Sequence, residues 1–97
     1  TYDQAFAKRA MKPGTSDILL KLKSQLEKTE PFTSLQIHDV LINFIETTGL
    51  TASGVMPALR LALVGQGKGP DLAVIMELIG QKEAIERISR LSQSYSD

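Results

Sequence analysis

The sequence contains no cysteine and no tryptophan, and only 5% of its residues are aromatic. The lack of thiols excludes disulfide bridges and thiolate metal sites, so we expect no zinc and no other bound metal. Unbroken apolar runs are at most five residues long, whereas a membrane-spanning helix needs about 20 apolar residues. We therefore expect no contact with a membrane, and the absence of cysteine favours a cytoplasmic location.

Neither sign of charge is in excess, because 11 Lys and Arg balance 11 Asp and Glu. A neutral chain is not typical of proteins that bind the phosphates of nucleic acid. The distribution is uneven, however: residues 1–28 contain six basic and three acidic residues, and residues 29–55 contain three acidic and no basic ones. This split predicts a basic edge on one side, although an ordinary solvated surface would give the same pattern.

The apolar residues recur at helical spacing, and no segment alternates as a half-buried strand would. With 42% apolar and 23% charged residues, the sequence predicts an all-α fold, a small bundle of about five to six helices. The first expected helix is residues 3–10, the second is capped by Thr15 or Ser16 and ended by Pro31, and the third runs from the Thr33 cap to Gly49. The fourth has Pro57 in its first turn and runs to about Val64, and the fifth runs from Pro70 to Gly80. The last expected helix is amphipathic and includes residues 84–91.

A glycine-rich turn, GQGKGPD, spans residues 65–71. Spaced glycines can form a loop whose backbone amides hold a phosphate. A nucleotide-hydrolysing loop needs Ser or Thr after its lysine and a strand before it, whereas Lys68 is followed by Gly69 and a helix precedes the turn. Nucleotide hydrolysis is therefore not expected, and the alternative that remains without further signals is a flexible connector between helices.

Arg60 adds such a signal, because it interrupts an otherwise apolar helix shortly before the turn. It could be an ordinary solvated side chain whose apolar stem lies on the surface. It could also present a planar fork of donors to a base edge or a phosphate. The turn would complete such a site, since its glycines allow close approach, Lys68 adds charge and the next helix start offers free amides.

The remaining polar residues do not form a catalytic pattern. His38 is the only histidine and has no second ligand or nucleophile at catalytic spacing, so it is interpreted as a surface residue. Asp39 and Glu46 lie on one helical face and are interpreted as solvated. The few aromatic residues are too scattered to predict a surface on which bases stack; they are Tyr2, Phe6, Phe32, Phe44 and Tyr95.

Several separated blocks follow one another along the chain. They are YDQAFAKR at residues 2–9, FT at 32–33, GL at 49–50, LRLALVGQGKGPDL at 59–72, IMELIG at 75–80 and KEAIERI at 82–88. In this order the blocks resemble the C-terminal end of bacterial glutamyl-tRNA synthetase. The similarity covers nearly the whole chain. It implies that residues 1–97 are a single C-terminal anticodon-binding fragment, with linking helices in 1–50 and base-reading helices and the turn in 51–97.

In this family a class I synthetase joins glutamate to tRNA(Glu) with ATP and Mg²⁺, and the helical C-terminal part reads the anticodon. The resemblance implies that Arg60 is the anticodon-contacting arginine. It also implies that the helix-start segment Gly69, Pro70, Asp71 and Leu72 receives the last two anticodon bases, with Lys68 as an additional candidate. Loop bases that are unstacked can be read by such side chains and backbone groups.

The two ATP-binding signatures of the family, His-x-Gly-His and Lys-Met-Ser-Lys-Ser, do not occur in this sequence. The resemblance therefore implies a fragment with no catalytic residue and no cofactor of its own. Its expected partners are tRNA(Glu) and the N-terminal catalytic domain of the same chain, and we expect a monomer. The first residue is Thr1, so we expect an internal fragment. The alternative is a non-catalytic protein-interaction module derived from a synthetase.

Overall fold

The computed structural model describes residues 2–95, which form six helices and no strand. This confirms the predicted all-α fold. In chain order the helices are α1 (Gln4–Ala10), α2 (Thr15–Glu27), α3 (Ser34–Thr48), α4 (Ala52–Val64), α5 (Leu72–Ile79) and α6 (Gln81–Ser94). None of the helices within these residues is long and apolar enough to cross a membrane.

The first three helices begin at recognisable caps. Asp3 caps α1, and its carboxylate accepts the Phe6 amide at 3.1 Å. Thr33 caps α3 as predicted, with its hydroxyl accepting the Gln36 amide. The predicted cap of α2 is wrong: Gly14 is the cap, and Thr15 is already helical. The Thr15 hydroxyl instead accepts the Lys12 amide at 3.0 Å, so it closes the preceding turn.

α4 begins earlier than the sequence predicted. Pro57 lies in the second turn rather than the first, because the helix starts at Ala52 behind the extended residue Thr51. Burial of Val55, which is 1% exposed, stabilises the additional turn. Proline has no amide to donate four residues back, so the backbone hydrogen bond that α4 loses is the one to the Ser53 carbonyl. This loss is small because Ser53 is exposed to solvent.

α5 begins later than predicted, at Leu72 rather than Pro70. Asp71 sets the boundary, because its carboxylate accepts the amides of Ala73 at 3.1 Å and Val74 at 3.4 Å. A side chain that satisfies these two amides fixes the first residue of a helix. Pro70 is therefore outside the helix and only limits the backbone that enters it.

The core lies between α2, α4 and α6, with α3 and α5 packed against its other side. The largest side chains that are almost wholly buried are Leu19, Leu22, Leu26, Ile37, Val55, Leu59, Leu61, Met76, Ile88 and Leu91. Polar contacts join the layers. The side-chain amide of Gln81 donates from Nε2 to the Leu26 carbonyl at 2.8 Å and to the Thr29 carbonyl at 3.0 Å. These bonds connect the start of α6 to the end of α2.

Candidate nucleic-acid interface

The glycine-rich turn is held against α1 at two points. The Asp3 amide donates to the Gly65 carbonyl at 2.7 Å. Gly67 lies so close to the Phe6 ring that a Cβ at this position would be 3.1 Å from Phe6 Cδ1. α1 also packs along α4, the helix that leads into the turn. The turn is therefore fixed on the body of the domain and is not a flexible connector.

Gly67 is required by the nearby Phe6 ring, whereas Gly65 and Gly69 are required by their backbone conformation. Gly65 ends α4 in the left-handed conformation with a φ of 84°. Gly69 has a φ of 151°, and a Cβ there would be 3.1 Å from Arg60 Nη1. Residues with a side chain rarely adopt such a conformation, so Gly69 meets both a conformational and a steric requirement. Its lack of a side chain lets the backbone of the turn lie directly on the guanidinium.

Arg60 is half-buried, and its Nη1 atom is fully buried with no hydrogen-bond partner among residues 2–95. An unsatisfied buried donor costs about 1–3 kcal/mol, and more when the group is charged. Arg87 shows how an arginine in the same structure is satisfied: it donates to the Leu63 carbonyl at 2.7 Å and to Glu83 at 2.8 Å. Among the arginines in residues 2–95, Arg60 is thus the one with a buried donor that has no partner.

Arg60 lines a pocket of about 380 Å³, which we call the Arg60 pocket. Its walls come from α1 with Phe6, from α4 with Arg60, from the glycine-rich turn with Gly67, and from the start of α5 with Asp71 and Leu72. The pocket combines an apolar surface with a cationic donor and a carboxylate acceptor. Such a concave site with a few convergent polar groups is typical of ligand recognition.

The structure brings most of the predicted site residues together. Arg60, Asp71 and Leu72 line the Arg60 pocket, and Gly69 contacts the Arg60 guanidinium. The side chain of Leu72 is only 2% exposed, so it belongs mainly to the core. Pro70 is exposed beside the pocket and does not line it. Lys68 lines a neighbouring depression of about 300 Å³.

One part of the predicted site is wrong. The sequence suggested that the helix after the turn offers free amides to a ligand, but Asp71 accepts the amides of Ala73 and Val74. These amides therefore have a partner within the chain, and the negative carboxylate lies where an anion would have to bind. The start of α5 contributes a carboxylate wall, not an anion site.

Phe6 and the first turns of α4 were missed by the sequence analysis. Ser53, Met56, Pro57 and Arg60 share one face of α4, at the spacing that a helix gives to neighbouring side chains, and all four line the pocket. Because the helix was expected to begin near Pro57, the earlier residues could not be placed on this face. Had Thr51 been taken as the cap, the spacing would have found them.

The other candidates considered from the sequence lie elsewhere. His38 and Asp39 are exposed on α3 and line neither of the two pockets at the turn. Within residues 2–95 there is no group of three or more His, Cys, Asp and Glu side chains that could hold a metal ion.

The class of protein follows from comparison with known families. A family model described as an anticodon-binding domain matches residues 1–92. The chain therefore belongs to the anticodon-binding domain family, and its glycine turn and Arg60 pocket lie within the matched region.

Individual relatives narrow this class. The chain is 37% identical over 90 residues to a glutamate–tRNA ligase of Porphyromonas gingivalis, covering 93% of this chain and 18% of that protein. It is 32% identical over 90 residues to a glutamate–tRNA ligase of Christiangramia forsetii, again covering 93% of this chain and 18% of the relative. The crystal structure of a glutamate tRNA ligase from Elizabethkingia meningosepticum, in complex with its amino acid, superposes with a TM-score of 0.94 at 32% identity. That match covers 99% of this chain and 19% of that chain. The chain thus spans about a fifth of these relatives.

Proposed function

We propose that this chain is the anticodon-reading, C-terminal part of a glutamate–tRNA ligase and that the Arg60 pocket receives an anticodon base of tRNA(Glu). The observation that carries the proposal is the buried, unpartnered Arg60 Nη1 beside the glycine turn in a member of the anticodon-binding domain family. Packed neighbours hold the guanidinium in place, and because Arg60 as a whole is only half-buried and lines the pocket, its remaining donors can bind a ligand there.

The chemistry of the pocket fits the edge of an unstacked base. Sequence-specific RNA recognition uses loop bases that are splayed out and read on their edges. A base edge carries both hydrogen-bond acceptors and an N–H donor, which match the donors of Arg60 and the carboxylate of Asp71. One carboxylate oxygen of Asp71, Oδ2, accepts the two α5 amides, so Oδ1 is the atom we assign to a base.

The other predicted residues have more limited roles in this proposal. Gly69 lets the RNA and the turn approach the guanidinium, and Pro70 restricts the backbone beside it. Leu72 is buried and provides the apolar floor of the pocket. Lys68 contributes charge next to the pocket rather than inside it.

The function of the whole ligase extends beyond this chain. In our proposal, the catalytic domain of the same polypeptide joins glutamate to tRNA(Glu) with ATP and Mg²⁺. Residues 2–95 offer no group of side chains for the metal, so we assign no step of the reaction to them. The proposed enzyme is cytoplasmic and monomeric, and the present chain contributes recognition of the tRNA.

Binding to two RNA stem-loops tests the proposal directly. The chain is titrated with the glutamate anticodon stem-loop and with one altered in its middle base, each at two salt concentrations. We expect the glutamate stem-loop to bind more tightly at both, since a wrong base costs about 1–3 kcal/mol. Equal affinity for the two would contradict the proposal. Tight binding of a protein partner together with equal RNA affinity would favour the protein-interaction module instead.

A further inference from the structure

A second depression adjoins the Arg60 pocket on the side of α1. It has a volume of about 300 Å³ and is lined by Asp3, Phe6, Arg9, Gln66, Gly67 and Lys68. We call it the Arg9 cleft. It shares two walls, Phe6 and Gly67, with the Arg60 pocket. Only the contact between the Phe6 ring and the turn backbone therefore separates the two depressions.

The Arg9 cleft carries a positive balance of charge. Arg9 and Lys68 are both exposed, and Asp3 is the one acidic residue in its lining. The carboxylate of Asp3 accepts the Phe6 amide at 3.1 Å as the cap of α1. Within residues 2–95 the ion pair is Arg87 with Glu83, so the charges of Arg9 and Lys68 are not neutralised by a direct acidic partner.

Arg9 is also oriented toward the boundary between the two depressions. Its guanidinium carbon lies 5.9 Å from the centroid of the Phe6 ring, a distance at which a cation is attracted by the face of an aromatic ring. Because the same ring packs on Gly67, the guanidinium stands next to the turn that borders the Arg60 pocket. Two depressions with a common wall suit two parts of one nucleotide or of adjacent nucleotides.

We infer that the Arg9 cleft binds a phosphodiester group of the RNA backbone next to the base in the Arg60 pocket, with Arg9 and Lys68 as its cationic ligands. The inference rests on the proposed function. Phosphate contacts set the position of a nucleic acid without reading its sequence, whereas base contacts specify it. In this arrangement the Arg9 cleft positions the RNA backbone, and the Arg60 pocket reads the base. The basic residues near the start of the chain therefore contribute to positioning.

The salt dependence of RNA binding tests this division. The dissociation constants of the two stem-loops are measured over a range of salt for the chain and for Arg9→Gln, Lys68→Gln and Lys82→Gln. Lys82 is an exposed lysine on α6 that lines neither depression, so it is the matched control. Thermal unfolding of each variant shows that the fold is retained.

We expect Arg9→Gln to weaken the binding of the two stem-loops by one common factor, so that the ratio of their dissociation constants is unchanged. We expect the same of Lys68→Gln. Each should also reduce the slope of log K against log salt by about 0.7 to 1, the share of one phosphate. Arg9→Lys should restore the slope, because a phosphate contact needs charge more than the fork of arginine. Lys82→Gln should change neither quantity.

An unchanged slope in Arg9→Gln would overturn the inference, and so would a changed ratio between the two stem-loops, which would make Arg9 a base-reading residue. If the unaltered chain discriminates between the stem-loops and only the slope fails to change, the proposed function stands without the phosphate site. If it does not discriminate but Arg9→Gln still lowers the slope, the phosphate site stands and the proposed function fails.

Discussion

The two sides of this neutral domain differ in charge and in how their polar groups are satisfied. The side formed by α1 and the glycine turn presents Arg9 and Lys68 and contains the unpartnered Arg60 Nη1. The side formed by α3 and α5 presents exposed acidic residues, Asp39 and Glu46 among them. A net charge of zero therefore hides an uneven distribution, in which α3 and α5 carry acidic side chains and the cations Arg9 and Lys68 line the cleft at the turn.

An acidic side chain on this side has a partner within the chain. The carboxylate of Glu77 on α5 accepts the Ser34 amide at the start of α3, so this acid serves to join two helices. Large exposed apolar side chains also lie on these helices: Leu35 and Ile42 on α3 are 70% and 44% exposed, and Val74 and Leu78 on α5 are 42% and 79% exposed. Unsatisfied donor capacity therefore distinguishes the proposed RNA-binding side, and apolar exposure distinguishes the acidic side.

The largest expected effect comes from breaking the core that supports both sides. Leu59 is wholly buried, and Leu59→Ala should lower the free energy of unfolding by about 2–5 kcal/mol through lost burial and a cavity. Leu35→Ala, on the exposed acidic side, should change it by less than about 0.5 kcal/mol. Urea denaturation followed by circular dichroism measures both. Equal effects of the two substitutions would show that Leu59 does not lie in a close-packed core.

Arg60→Ala should lower kcat/KM for tRNA(Glu) in a ligase containing this chain. The expected loss corresponds to about 1–3 kcal/mol, the usual contribution of a specific base contact. Arg60→Lys should recover only part of this loss, because lysine keeps the charge but lacks the fork. Arg90 is exposed on α6, and Arg90→Ala serves as the control. Steady-state kcat/KM for tRNA(Glu) gives the result, and unchanged kinetics in Arg60→Ala would remove Arg60 from the site.

Gly69 and Gly49 provide a matched pair on the two sides. Both have positive φ, 151° and 74°, but a Cβ at Gly69 would meet Arg60 Nη1 at 3.1 Å whereas one at Gly49 would meet nothing within 4 Å. Alanine at either position should destabilise the fold by about 1–2 kcal/mol through its backbone conformation. Only Gly69→Ala should also reduce discrimination between the two stem-loops. A similar loss of discrimination in Gly49→Ala would show that general destabilisation causes the effect.

Substitutions of Asp71 are expected to give the smallest effect. They separate its role as the cap of α5 from its proposed role in binding a base. Asp71→Ala should cost about 0.5–2 kcal/mol of stability because α5 loses its cap. Asp71→Ser keeps a capping oxygen and should restore most of this stability, but it should not restore the preference for the glutamate stem-loop. Thermal unfolding and RNA titration of both variants decide the matter. If serine restores both properties, Asp71 acts as a cap alone.

The helices themselves could be predicted because their signals are local. Helical spacing and helix-ending residues predicted all six, and the cap Thr33 and the exit at Gly49 follow from local chemistry within a few residues. Asp3 was expected to be the first residue of α1 and is its cap instead. The errors occurred where two local signals compete. Pro57 and Pro70 each suggested a helix start, but burial of Val55 and the capping carboxylate of Asp71 decided where the helices begin.

The sequence by itself determined the all-α fold and the apolar helix faces, and it identified Arg60 and the glycine turn as candidate site residues. These features depend on spacing along one or two helices. Only the tertiary structure decided what surrounds them. It placed Phe6 and Arg9 beside residues about 60 positions later in the chain and left Arg60 Nη1 without a partner. Such contacts follow from how α1, α4 and α5 pack together, which no local pattern specifies.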